Sequence, residues 1–243
     1  MQLTSIGFAG AFMTGSPVKV VRSKRGSIAS WRVLNVGSGP APTRLHPIFS
    51  SRKWREVTLD ADPAVKPDLV GSSANLHDLV PDGAFDAIYA SHVLEHLFSH
   101  EVLLALKEYR RVLSPSGFAL ITCPDMESIA DTITRNGLEI TAYNSPAGPI
   151  TPLDMVFGHS RSIENGNLYM AHRTGFTVER LGRLLALAGF RESRVSRGTS
   201  YDLWALALAE GADLRHVAEL FKGAPQESLA KSPYAEVFRQ GNQ

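Results

Sequence analysis

The chain has 243 residues, 44% hydrophobic and 20% charged. Such values exclude a disordered or fibrous chain and leave room for one large domain with an ample core. Lys and Arg number 25 against 24 Asp and Glu, a formal net charge of +1, so a nucleic-acid-coating surface is not expected. The lone cysteine, Cys123, excludes an internal disulfide and a cysteine-rich zinc site.

No apolar run has the length of a bilayer span. The opening MQLTSIGFAGAFMTG is mildly apolar, but Lys19, Arg22, Lys24 and Arg25 come after it, the wrong order for a secretory leader. A cytoplasmic protein without a membrane partner is expected.

Residues 1–30 show no firm periodicity and read as an N-terminal arm or lid. The nearly continuous apolar run 31–36 stops at Gly37-Ser-Gly-Pro40, the pattern of a buried strand ending in a tight turn. Further strands are predicted over 56–59, 68–70, 85–90 and 118–122. Between the last two, Val102, Leu103, Leu106, Tyr109, Val112 and Leu113 recur at helical spacing, and Pro115 and Gly117 end that helix. Asp125 is expected to cap a helix over 126–134, Asp86 to be structural, and Cys123 to fill core. A further helix is predicted from Thr177 as N-cap, with its apolar stripe from Val178 to Ala188 and Gly189 after its end. Strands over 193–196 and 202–209 follow, then a C-terminal helix and a polar tail within 211–243.

Strands alternating with helices predict an α/β fold: a doubly wound, Rossmann-like sheet. Residues 142–172, punctuated by Pro146, Gly148, Pro149, Pro152, Gly158 and Gly166, interrupt the alternation and read as a lid or substrate loop.

A strand that ends in a glycine turn offers backbone N–H groups and close approach to a ligand. Gly37-Ser38-Gly39 has this character, although Pro42 stands where a dinucleotide fingerprint has its third glycine. Asp60 ends the second strand, where a carboxylate can accept from both ribose hydroxyls of a nucleoside.

The series VLNVGSGP (33–40), VTLDADP (57–63), FDAIYASHVLEHL (85–97), RVLSPSG (111–117) and HRTGFT (172–177) resembles class I S-adenosylmethionine-dependent methyltransferases, in particular the bacterial small-molecule type with an LEH motif after the fourth strand. The order of motifs matches over about residues 31–209. The resemblance implies a seven-stranded, mostly parallel sheet with an antiparallel last strand, a domain over 31–210, and S-adenosylmethionine as cofactor, leaving as S-adenosylhomocysteine. It places Asn35, Gly37, Ser38, Gly39, Asp60, Ala61, Ser72, Asn75, Leu76 and Ser91 around that cofactor. The glycine turn would back the methionine part and the segment from Ser72 to Leu76 would border the adenine. Asn35 and Ser72 depart from the acidic residues that many members carry there.

His92, Glu95 and His96 are spaced i, i+3, i+4, which on a helix puts them on one face. As H-x-x-E-H they formally match a zinc-protease motif, but inside this motif series His92 and His96, joined by His172 from HRTGFT, are expected to act on the methyl acceptor. A metal held by His92, Glu95 and His96 is the lesser reading, and no metal is expected. Arg173 would pair an anionic substrate or a surface carboxylate. The predicted function is O-methylation of a small-molecule hydroxyl or carboxylate, of the sugar or natural-product kind. The alternatives are a catalytically silent nucleoside-binding regulator of the same fold and an NAD-dependent oxidoreductase. Thermal-shift screening with S-adenosylmethionine, S-adenosylhomocysteine, NAD and ATP separates the three.

Overall fold

The computed structural model describes residues 30–231 and 235–241, so the expected N-terminal arm lies outside the described residues except for residue 30. Strand β1 (Trp31–Val36) leads through the glycine turn to β2 (Trp54–Asp60) and the short β3 (Leu69–Val70). Strand β4 (Phe85–Ser91), helix α1 (Ser99–Val112), β5 (Leu113–Pro124) and helix α2 (Met126–Asn136) follow. An insertion then folds as the hairpin β6 (Tyr143–Ser145) and β7 (Gly148–Ile150) with two short helices, α3 (Pro152–Phe157) and α4 (Ser160–Glu164). Helix α5 (Val178–Leu187), β8 (Glu192–Arg197), β9 (Asp202–Leu208), α6 (Leu214–Leu220), α7 (Glu227–Lys231) and β10 (Glu236–Arg239) complete the order.

The main sheet runs β3-β2-β1-β4-β5-β9-β8-β10. Strands β1 to β5 pair in parallel, whereas β9 is antiparallel to both β5 and β8. The expected antiparallel strand is therefore β9. The sheet has one strand more than the seven implied by the resemblance, because β10 pairs antiparallel with β8 at the edge. The C-terminal region is not a polar tail: Phe221 and Leu229 are buried, and Phe238 packs against the core. Leu214, Val217, Ala218 and Phe221 recur at helical spacing along α6 and its C-cap, whereas Leu229 and Phe238 lie in elements of only five and four residues, too short to show a periodic stripe. Gly182 of α5 admits the Phe238 ring; a Cβ at that glycine would lie 2.2 Å from it.

Both sheet faces are covered, which is why the strands read as continuous apolar runs. Alternation sends Leu34 and Ile88 to the core that α1 and α5 close, while Val33, Ala87 and Tyr89 face the one closed by Phe221, Val217 and Leu229. Asp125 and Thr177 cap α2 and α5 as expected, accepting from Glu127 N–H and Arg180 N–H. Removing either cap side chain costs about 1 kcal/mol. Cys123 is fully buried, and burial pushes its thiol well up, as expected of core filler.

The chain runs outward from β1 to β3, then crosses back to place β4 on the other side of β1. The carboxyl ends of β1 and β4 thus flank a switch point, where open α/β sheets form a crevice. The insertion packs on α2 through Ile129, Ile150 and Met155. Among the described residues no helix is long and apolar enough to cross a membrane.

Candidate active site

A cavity of about 340 Å³ opens at the switch point, within the range of roughly 300–1,000 Å³ usual for small-ligand sites. Gly37, Gly39, Asp60, Ala61, Ser72 and Ser73 line one part of it; His92, His96, Asn167, Tyr169 and Arg173 line another. A second cavity, about 360 Å³, lies between the amino ends of β1, β2, β4 and β5 and α6, lined by Trp31, Trp54 and His216 among others. None of the residues singled out as site candidates lines it.

The glycine turn is held from both sides. Ser38 N–H donates to Leu59 O (3.2 Å), and Gly39 N–H donates to Asp60 Oδ2 (2.9 Å). Asp60 Oδ1 also accepts from Asp62 N–H (2.9 Å). The carboxylate thus joins the turn after β1 to the turn after β2, and each oxygen keeps a lone pair for a ligand. Gly37 and Gly39 have φ of +62° and +63°, where side chains are strained. A Cβ at Gly37 would lie 2.6 Å from Val93 Cγ2, while at Gly39 it would meet nothing within 4 Å and project into open space. The turn is a cradle that only glycines leave free for a ligand, and the residues fit a nucleoside cofactor.

Several expected cofactor contacts do not reach the cavity. Asn35 is buried, and its Nδ2 donates to Glu56 Oε1 (2.8 Å) on the neighbouring strand. Leu76 is fully buried in the core, its N–H bound by Glu108 Oε2 (2.8 Å). Asn75 N–H closes a turn onto Ser72 O (3.0 Å). Ser38 turns its hydroxyl onto Gly39 O (3.3 Å), and Ser91 is the paired last residue of β4. None of these five lines the cavity. Side-chain direction along a strand or turn, which motif spacing does not carry, separates them from Asp60 and Ser72.

The His92, Glu95 and His96 cluster is not on one face of a helix. His92 takes φ +54°, and only Leu94–His96 form a 3₁₀ turn. A non-glycine residue in the left-handed region is a local strain of a kind that gathers at functional sites. His92 N–H is anchored on Thr122 O (2.9 Å), and its Nδ1 lies 3.0 Å from Glu95 Oε1. A carboxylate only accepts, so Nδ1 carries the proton and Nε2 is left free. Glu95 is 1% exposed. Burial pushes its carboxyl up, but the His92 contact and the His96 charge outweigh this and hold it below the usual range. Burial pulls His92 down while the Glu95 bond and charge pull it up, with a net rise.

His96 and His172 stack edge to face with ring centres 4.9 Å apart. His172 does not itself line the cavity; it lies beside His96, and burial lowers its pKa, only partly offset by the Glu95 charge. The 3₁₀ turn and the segment after the insertion are joined by Arg173 N–H (2.7 Å) and Thr174 N–H (3.3 Å), both donating to Glu95 O, while His172 N–H ties that segment back to α3 at Phe157 O (3.1 Å). The Arg173 guanidinium lies 4.7 Å over the Phe98 ring at the cavity edge. Asn167, Tyr169 and Met170 had no local signal, since only the return of the insertion brings them to the wall.

Residues 34–121 match the family model described as a methyltransferase domain. That segment runs from β1 to β5 and holds the glycine turn, Asp60 and the 3₁₀ turn. No curated protein matches the chain. Among solved structures the chain is similar to a protein from Pyrococcus horikoshii OT3, at 16% identity over 74% of this chain and 82% of that one, with TM-score 0.49. It is similar to a Thermotoga maritima SAM-dependent methyltransferase described as a possible histamine N-methyltransferase, at 15% identity over 74% and 83%, TM-score 0.46. A SAM-dependent methyltransferase from Methanosarcina mazei is similar at 16% identity over 75% and 94%, TM-score 0.47.

Proposed function

Since the chain is a class I S-adenosylmethionine-dependent methyltransferase, we propose that it transfers the methyl group to an oxygen, a hydroxyl or carboxylate, of a small molecule. The observation that carries this reading is the continuity of the cavity from the glycine turn and Asp60 to the His92 and His96 imidazoles. Its size suits a small molecule, and its two ends differ in chemistry.

Gly37, Gly39 and Asp60 bind the cofactor in this reading, with Asp60 accepting from ribose hydroxyls and Ala61, Ser72 and Ser73 beside it. When bound, S-adenosylmethionine supplies a methyl group on a positively charged sulfur, already activated for transfer. The protein's own work is then alignment, exclusion of water and proton handling. Glu95 keeps the His92 proton on Nδ1, so Nε2 takes the proton of an acceptor hydroxyl as its O–H bond breaks and the O–CH₃ bond forms. A carboxylate acceptor needs no such base. Asn167, Tyr169 and Met170, from the insertion, form the wall that excludes water, and the insertion thereby acts as a lid.

The test is calorimetric titration with S-adenosylhomocysteine, followed by detection of that product with hydroxylated, carboxylated and amine acceptors. Binding together with turnover on oxygen acceptors supports the proposal. Turnover confined to amines or to nucleic acid overturns it.

A further inference from the structure

Glu95, His96 and His172 each offer a ligand atom, and these atoms lie within 4.8 Å of one another. The hydrogen bonds around them decide which lone pairs remain. His96 Nδ1 lies 3.2 Å from Ala171 O, and His172 Nδ1 lies 2.9 Å from Met155 O. A carbonyl oxygen only accepts, so in both rings Nδ1 carries the proton and Nε2 keeps its lone pair. Imidazoles that bind metals are held in this way, with the second nitrogen donating to a backbone carbonyl. Glu95 adds a buried carboxylate whose Oε2 has no hydrogen-bond partner among the described residues. An orphaned carboxylate oxygen at 1% exposure is costly without a cation or donor.

We infer that Glu95, His96 and His172 hold a divalent transition-metal ion that clasps the exit of the insertion to the turn after β4. Two imidazoles and one carboxylate suit zinc or cobalt rather than magnesium or calcium, which prefer oxygen ligands throughout. The ligand set differs from the one suggested by spacing along the chain: His92 spends its Nδ1 on Glu95 Oε1, and His172 comes from 76 positions beyond His96. Backbone bonds already bring the two segments together, since Arg173 N–H and Thr174 N–H both donate to Glu95 O. The ion would fix the insertion against the cavity floor at His96, and so shape the acceptor end without touching the glycine turn. The role is that of a clasp, which goes beyond methyl transfer and does not depend on it.

The experiment uses the full chain, stripped with chelator and titrated with Co²⁺ alone, watching the visible absorption of the bound ion. The expected result is one equivalent bound with a ligand-field spectrum, and a melting temperature that rises with Co²⁺ concentration. His172→Ala should weaken binding by at least about 100-fold, whereas His92→Ala should keep the spectrum. Calorimetry with S-adenosylhomocysteine on the same samples separates the two readings. A chain that binds S-adenosylhomocysteine but shows no cobalt spectrum overturns the clasp and leaves the cofactor site standing; cobalt binding without S-adenosylhomocysteine binding does the reverse. Because buried Glu95→Gln can fail to fold, His172→Ala is the deciding variant. An unchanged spectrum in it overturns the ligand set, as does loss of the spectrum in His92→Ala alone.

Discussion

The two ends of the cavity are built in different ways. The glycine-turn end is made of short segments, each immediately after a strand, and is tied by backbone N–H groups donating to one carboxylate, Asp60. The histidine end needs residues far apart in the chain, His96 and His172, brought together by the return of the insertion. Parallel strands hold the first end rigidly, since β1 is paired on both sides. A hairpin, two helices of six and five residues, and a few bonds across to Glu95 and Ala171 hold the second. Rigid backbone suits a cofactor common to many reactions, and a removable wall suits an acceptor that differs between them.

Removing one side chain at each end is the sharpest way to break this contrast. His92→Ala should lower turnover by roughly 10²–10⁴-fold, the usual worth of a positioned acid–base group. Its S-adenosylhomocysteine affinity should stay within twofold, because His92 contributes to the acceptor end. Steady-state kinetics alongside calorimetry checks both halves, and a fully active variant would make the cluster structural.

Asp60→Ala should act in the opposite sense, weakening S-adenosylhomocysteine by about 1.5–3 kcal/mol, roughly 10- to 150-fold. The loss includes the anchoring of Gly39 N–H and Asp62 N–H. Unchanged affinity by calorimetry would remove the assignment of this end.

A backbone probe follows at Gly158, where φ is +98° and a Cβ would sit 2.0 Å from Met170 O. Gly158→Ala should cost about 1–3 kcal/mol from strain alone. It should push Met170 and Ala171 away from the wall, raising the acceptor KM while cofactor affinity holds. Equal loss at both ends would show that they are coupled.

The smallest effect is in pH. Burial pushes the Asp154 carboxyl up, but hydrogen bonds from Ser160 and Thr151 overcome this and hold it at about 2. A folded-state pKa below the unfolded value means stability that is present above about pH 4 and fades as pH falls towards 2. The difference in melting temperature between the native chain and Asp154→Asn should therefore shrink across that window. A difference that stays constant would show that the cap at α3 does not depend on the charge.

The strand-and-helix frame was legible because each element satisfies its own local rule. Thr177 and Asp125 cap their helices, and the apolar runs at 31–36 and 85–90 need no partner to be recognised as buried strands. Asp60 could be placed for the same reason, since a strand's last residue lies at the sheet edge whatever surrounds it. Asn35 and Leu76 could not. Both stand in motif positions, yet one points across to Glu56 and the other into the core.

Sequence by itself determined the order of strands and helices from β1 to α2 and from α5 to β9, the glycine turn and the presence of a carboxylate at the end of β2, because chain geometry over a few residues dictates each. Tertiary structure alone decided three things. It made β10 a sheet edge by pairing Glu236–Arg239 with β8. It turned the expected helical face of His92, Glu95 and His96 into a bend with φ +54° followed by a 3₁₀ turn. It also set His172 against His96 and Glu95, a contact between segments about 75 residues apart. The physical reason is common to all three: their energies come from groups that meet only after the sheet has closed, and no local periodicity records such a meeting.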